Sequence, residues 1–236
     1  METSSPQSSK PLHAMPFIRI ELAMMTVRDG VLHVLLAQRE ASPYAGQWAL
    51  PGGVLRIDLD ADLEAAAQRV AMERLGVRLP YLRQQSTVGA ATRDPRAPWA
   101  LSVVYRALVP LENFTAEPGK RIDALRWVPV SEASVDQELA FDHATLIAQA
   151  VAATRLEVQN LELPQGYLPD EFTLGELQSA CEALLGRRLD KSSFRRRLDD
   201  AGCVAEVPGA MRTGAFRPAQ LYRLTPSGNK SHVVPR

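Results

Sequence analysis

The chain has 236 residues, 46% of them apolar and 23% charged, the composition of a globular protein with a real core and room for one large and one small domain. No stretch approaches the roughly 18 unbroken apolar residues of a membrane span, and the formal net charge of zero names no partner. Two cysteines, Cys181 and Cys203, lack CxxC spacing and a nearby histidine pair, which argues against zinc and fits buried reduced thiols in the cytoplasm.

Residues 1–16 are rich in Ser and Pro, lack an apolar signal core and are expected to form a disordered tail. Phe17 to Val27 is apolar and β-friendly; Asp29-Gly30 is a hairpin turn signal, and Val31 to Ala37 makes the second strand. Trp48 to Gly53 reads as a strand running into a glycine turn. From Asp62 to Leu75, the residues Leu63, Ala66, Ala67, Val70 and Leu75 recur near helical spacing, with Gly76 as C-cap. Strands are expected over Gln84 to Ala90, Trp99 to Leu108 and Ala124 to Val128. A closing helix is expected over Leu139 to Arg155, with Leu146, Ile147 and Val151 on one face. The result is an α+β chain, an α/β/α sandwich over residues 17–156.

Pro164, Gly166 and Pro169 then break the pattern, so 157–170 reads as a linker. Thr173 and Glu176 form a capping box for a helix running to Leu185. Asp190 can cap a second helix with Phe194 and Leu198 inward and Gly202 at its end. Two β-prone runs follow, Cys203 to Val207 and Ala219 to Leu224, separated by a loop containing Gly, Pro and Arg. Helix, turn, helix, hairpin is the order of a winged helix-turn-helix, placed at 171–226 with a disordered tail at 227–236.

Charge is distributed unevenly. From Arg187 onward there are eleven Lys and Arg against four Asp and Glu, an excess of +7 that leaves −7 on the rest. That asymmetry is a footprint for phosphate. Lys191, Ser192 and Ser193 occupy the first turn of the second helix, and Arg195, Arg196 and Arg197 follow at once. A recognition helix reads base edges from its N-terminal turn while arginines clamp phosphates. Arg212, Thr213 and Arg217 fall on the hairpin loop, where a wing would reach DNA. The competing role for such a run is a solvated helix face.

The helix after Gly52-Gly53 is similar to the second half of the Nudix box, R-E-U-x-E-E-x-G-U with U apolar. It aligns as Arg69-Val70-Ala71-Met72-Glu73-Arg74-Leu75-Gly76-Val77. Val70 and Arg74 stand where glutamates belong, Ala61 stands where the earlier glutamate belongs, and the spacing from Gly53 is two residues longer. Those carboxylates hold divalent metals that activate water. Glu73 alone, with Glu64 off register, is not expected to hold them. No catalytic residue, metal or other cofactor is therefore expected.

The whole chain from Phe17 to Leu224 resembles the NrtR family, the Nudix-related transcriptional regulators of NAD metabolism. The resemblance rests on Gln47 to Gly53, Arg93-Asp94-Pro95-Arg96, Leu101 to Tyr105, Leu139 to His143, Leu189 to Arg197 and Arg217 to Arg223. It implies a homodimeric repressor whose winged helix binds a palindromic operator near genes of NAD biosynthesis or salvage. It implies release by a NAD-derived nucleotide, typically ADP-ribose, in the Nudix-like domain. Two alternatives remain: an active Nudix hydrolase of ADP-ribose-type substrates, and a regulator of another pathway that senses a sugar-derived metabolite. Arg93 and Arg96 suit a pyrophosphate through their bidentate fork, with an ion pair to Asp94 as the competing role. Arg39, Tyr44 and Trp48 are candidates to line a nucleotide pocket, a tryptophan such as Trp48 being more often a core residue. His143 is expected to be a structural hydrogen-bonder.

Overall fold

The computed structural model describes residues 15–111, 114–136, 138–163, 166–213 and 218–225. The expected tails therefore lie outside the described residues, save for residues 15 and 16, and so does Arg217.

Strand β1 (Phe17–Arg28) and β2 (Val31–Arg39) form an antiparallel hairpin across Asp29-Gly30. Both turn residues take positive φ, 51° and 74°, which this tight turn demands and which Asp-Gly adopts at low cost. Five more strands follow in the same region: β3 (Trp48–Ala49), β4 (Gly52–Val54), β5 (Arg83–Ala90), β6 (Ala100–Leu108) and β7 (Ile122–Pro129) bring the sheet to seven in all. The central path runs β3-β2-β1-β6-β5, with β6 parallel to β1.

The register explains the site. β1 pairs with β2 only through Met25 to Arg28; its earlier residues Arg19 to Glu21 pair with β4 instead. β2 carries β7 along its other edge from His33 to Arg39, and beyond Val34, where β1 leaves it, Ala37 and Gln38 pair with β3. The two strands diverge, and a cleft opens between them.

Residues alternate faces along a strand. Ile20, Leu22 and Met24 join a core with α1 (Leu63–Leu75), while Ala23 and Met25 join a core with α3 (His143–Gln159). This is the expected sandwich of helix, sheet and helix, with a short α2 (Val130–Ala133) beside α3. Helix α1 keeps its expected caps, Asp62 accepting from the Ala65 amide at 2.8 Å and Gly76 closing it in the left-handed region.

Three expectations are corrected. Gly52 and Gly53 lie in β4 rather than in a turn, and they are needed for close approach. A Cβ on Gly52 would come within 1.8 Å of Glu21 Oε2, and one on Gly53 within 2.8 Å of Val70 Cγ2. The closing helix begins at His143, not Leu139, because Leu139 and Ala140 are buried and the Ala140 amide donates to Trp48 O at 2.8 Å. It also runs on to Gln159, so the first residues of the expected linker are helical; Val158 and Leu163 are buried in the core.

The C-terminal segment contains α4 (Leu174–Leu185), α5 (Lys191–Ala201), β9 (Val204–Arg212) and β10 (Ala219–Leu224), with a two-residue strand β8 (Phe172–Thr173) that pairs with β10. The Thr173–Glu176 capping box forms in both directions, at 3.1 and 2.7 Å. Phe172, Leu177, Cys181, Leu184, Phe194 and Leu198 share one core with Met25, Leu32, Ile147 and Val151. The helical pair is therefore packed on the α3 side of the sheet. Among the described residues no helix is long and apolar enough to cross a membrane.

Candidate functional site

The cleft between the diverging strands collects five arginines. Arg19 comes from β1, Arg39 from β2, Arg74 from α1, Arg96 from the loop before β6, and Arg121 from the turn before β7; Ala49 to Gly52 supply backbone to the wall. Phe141 stands among them in the left-handed region at φ 59°. Its ring centre lies 5.0 Å from the Arg39 guanidinium, 5.8 Å from Arg19 and 5.9 Å from Arg96. Tyr44 meets the same ring edge-on at 4.7 Å.

Two of these arginines are neutralised. Arg19 Nε donates to Glu21 Oε1 at 2.7 Å, and Arg96 Nε to Asp94 Oδ1 at 2.8 Å. Arg39 donates instead to the carbonyls of Pro43 and Ala41. Burial, reinforced by the charges of Arg19 and Arg96, pushes its pKa down to about 10. Arg74 donates to Gly52 O at 2.9 Å and to Lys120 O. Burial lowers its pKa as well, with Arg121 and Arg19 adding to the repulsion. Below the floor, the Leu50 amide donates to His143 Nδ1 at 2.8 Å, so the neutral ring carries its hydrogen on Nε2, 3.9 Å from Glu21 Oε1. Burial drives the His143 pKa down to about 4, against the pull of Glu21.

The candidates from sequence divide. Arg39 and Arg96 line the cleft, and Tyr44 reaches its rim through Phe141. Arg93 does not line it. Its guanidinium side chain, 6% exposed, grips Asp142 with two hydrogen bonds of 2.8 and 2.9 Å and donates to Ser102. Its ion pair is thus with Asp142, and Asp94 serves Arg96. Trp48 turns to the other side of the sheet, where it packs on the α3 core beneath the Arg126 guanidinium, 4.1 Å from its ring. Strand alternation decides this, since the next residue, Ala49, faces the cleft. Arg19, Arg121 and Phe141 escaped sequence reasoning. A charged Arg19-x-Glu21 pair inside an apolar run was the available signal.

The second candidate surface is α5. Asp190 accepts from the Ser193 amide at 2.8 Å and caps the helix. Phe194 and Leu198 point inward, and Lys191, Ser192, Ser193, Arg195, Arg196 and Arg197 are all exposed. Arg197 also donates to Gln159 O at 2.5 Å, at the end of α3. Arg212 is corrected from loop to strand, because β9 continues to it. It is tied to Glu176 at 3.2 Å and to Glu171 O at 3.1 Å. Thr213 follows it, exposed.

Residues 165–224 match the model of the NrtR DNA-binding winged helix domain, and residues 19–150 that of the NUDIX domain. The chain is 38% identical to the ADPR responsive transcriptional repressor NtrR of Acinetobacter baylyi, over 92% of this chain and 85% of that protein. This chain belongs to the NrtR family. Among solved structures, NrtR of Shewanella oneidensis in complex with a 27mer DNA superposes with a TM-score of 0.72 at 34% identity, covering 90% of this chain and 95% of that one. The NUDIX domain of the same protein complexed with ADP ribose matches 62% of this chain and 94% of its own length, with a TM-score of 0.56 and 32% identity.

In this NrtR-family chain the box-like segment has a definite geometry. Val70 is fully buried against Gly53. Arg69 binds Asp60 at 2.6 Å and Val54 O at 2.9 Å, and Glu73 lies 3.4 Å from the same guanidinium. Arg74 stands in the cleft wall, and Glu64 is exposed.

Proposed function

We propose that the chain is a transcriptional repressor that holds a palindromic operator as a homodimer and releases it when ADP-ribose, or a close NAD-derived nucleotide, fills the cleft. The genes controlled are those of NAD biosynthesis or salvage. One observation carries the reading: a cleft lined by five arginines and an exposed, capped basic helix occur in one chain. Guanidinium forks suit a pyrophosphate, and Lys191 to Arg197 suit a duplex entered by the helix N-terminus. The names of the Acinetobacter and Shewanella relatives support both ligands.

Helix α3 connects the two sites. Its first residue, His143, holds the cleft floor at Leu50. Near its other end Arg155 donates to Leu184 O of α4 at 3.3 Å, and Gln159 O accepts from Arg197 of α5. A ligand that moves Phe141 would displace this helix, and with it the spacing of two recognition helices that must match the DNA repeat. The cleft senses rather than cleaves, because Val70 and Arg74 replace carboxylates that hydrolysis requires.

The test uses fluorescent duplexes from promoters of NAD genes. Anisotropy is expected to rise on binding and to fall when ADP-ribose is added, while nucleoside monophosphate release in magnesium stays at background. Sustained turnover of ADP-ribose would refute the sensing-only reading. Retention of every bound duplex at saturating ADP-ribose would refute the effector.

A further inference from the structure

A Nudix-type fold implies a divalent metal on a carboxylate cluster. The donor set in this cleft does not fit one. Val70 faces the core, Glu73 is paired with Arg69, and among the described residues no three His, Cys, Asp or Glu side chains converge. Glu21 lies beneath the floor, but it is bonded to Arg19, and its other oxygen is sealed under Gly52 with no exposed surface. Arg74 puts a guanidinium on Gly52 O. A metal cation drawn to that carbonyl would meet a fixed positive charge a few ångströms away.

We propose that Arg74, with Arg39 and Arg121, replaces the metal, so that the cleft binds a pyrophosphate-bearing ligand by direct guanidinium contact and without any divalent cation. The inference rests on the reading of the cleft as the effector site. Charge balance supports it. Of the five arginines, Arg19 and Arg96 are matched by Glu21 and Asp94. Among the described residues, no carboxylate lies within ion-pair distance of Arg39, Arg74 or Arg121. Three unmatched, permanently charged guanidinium groups therefore face one opening. The diphosphate bridge of a dinucleotide-derived ligand carries two negative charges; Arg121 can offer it two parallel donors, and Arg39 Nη1 and Arg74 Nη2 can add single ones beside the bonds those residues make to backbone carbonyls. Mutual repulsion in the empty cleft is relieved when that anion enters. The same charge repels a metal, which ties loss of hydrolysis to gain of metal-free binding through a single residue.

The experiment is calorimetric titration of the full chain with ADP-ribose and, separately, with inorganic pyrophosphate, each in EDTA and in magnesium chloride. Both ligands are expected to bind in EDTA, with ADP-ribose affinity within about threefold of that in magnesium. Arg74→Gln and Arg121→Gln are each expected to weaken binding in EDTA by roughly tenfold or more, the loss of one charge-assisted contact. Thermal unfolding checks that each variant is folded. Arg121 is exposed, so its variant keeps the test open if Arg74→Gln unfolds. Failure of pyrophosphate to bind in EDTA overturns the proposal, and so does unchanged affinity in folded variants. Metal-free binding of pyrophosphate, lost in the variants, with no binding of ADP-ribose, upholds the arginine site and instead overturns the choice of effector.

Discussion

Removing the Phe141 ring tests whether the cleft and the start of α3 are one unit. The ring faces three guanidinium groups at 5.0, 5.8 and 5.9 Å and the edge of Tyr44 at 4.7 Å. The nearest cation contributes about 0.5–1 kcal/mol and the two near the 6 Å limit less. The Tyr44 edge contact adds about 0.5–1.5 kcal/mol. Phe141→Ala is therefore expected to lower stability by about 2 kcal/mol and, because Arg39 and Arg96 lose the surface that positions them, to weaken ADP-ribose binding about tenfold. The backbone supplies an internal control. At φ 59° a side-chain-bearing residue is strained by about 1–2 kcal/mol, whereas glycine is not but loses about 0.4–1 kcal/mol through the freer unfolded chain. Phe141→Gly should thus be more stable than Phe141→Ala by roughly 0.5–1 kcal/mol. Urea unfolding measures the first quantity and calorimetry the second. Wild-type stability and affinity in Phe141→Ala, or a glycine variant less stable than the alanine one, would refute the reasoning.

Three further outcomes are expected. Arg195→Ala or Arg196→Ala should weaken operator binding and lower the slope of log affinity against log salt by about 0.9 per lost phosphate contact; a salt titration of anisotropy with an unchanged slope removes the residue from the interface. Asp190→Ala should lower the urea midpoint by removing the cap that holds the Ser193 amide; an unchanged midpoint would show that the cap does not stabilise α5. For His143 the folded pKa is about 4, below the ordinary 6.5, so as pH falls below 6.5 the unfolded chain takes up a proton that the folded one refuses. Stability is expected to fall between pH 6.5 and 4 by up to about 1.4 kcal/mol per pH unit. His143→Gln should flatten that part of the curve, and an identical pH profile in the variant would show that the buried ring does not set it.

Helix ends were the most legible part of the chain. Asp62 with Gly76, Thr173 with Glu176, and Asp190 with Gly202 all cap as their local sequence implies, because a cap is made within three or four residues. The hairpin at Asp29-Gly30 was legible for the same reason. The start of α3 was not. Leu139 and Ala140 are apolar at helical spacing, but the Ala140 amide is spent on Trp48 O, nearly a hundred residues away in sequence. Strand β8, two residues long, carries too little pattern to be read at all.

The two candidate sites divide along the same line. Lys191 to Arg197 could be placed on one exposed helical surface from order and spacing alone, since 3.6 residues per turn and two inward apolar positions dictate which residues face out. That Val70 and Arg74 carry no carboxylate was equally visible as a matter of residue chemistry. The cleft was not, because it is assembled where β1 and β2 part company. That divergence brings Arg19, Arg39, Arg74, Arg96 and Arg121 together, while strand alternation sends Trp48 to the opposite face and Arg93 is held by Asp142. The sequence determined the helix caps and the outward basic residues of α5, all properties of neighbouring residues; only the tertiary structure decided which arginines share a cleft, because strand register over long separations sets which side chains meet.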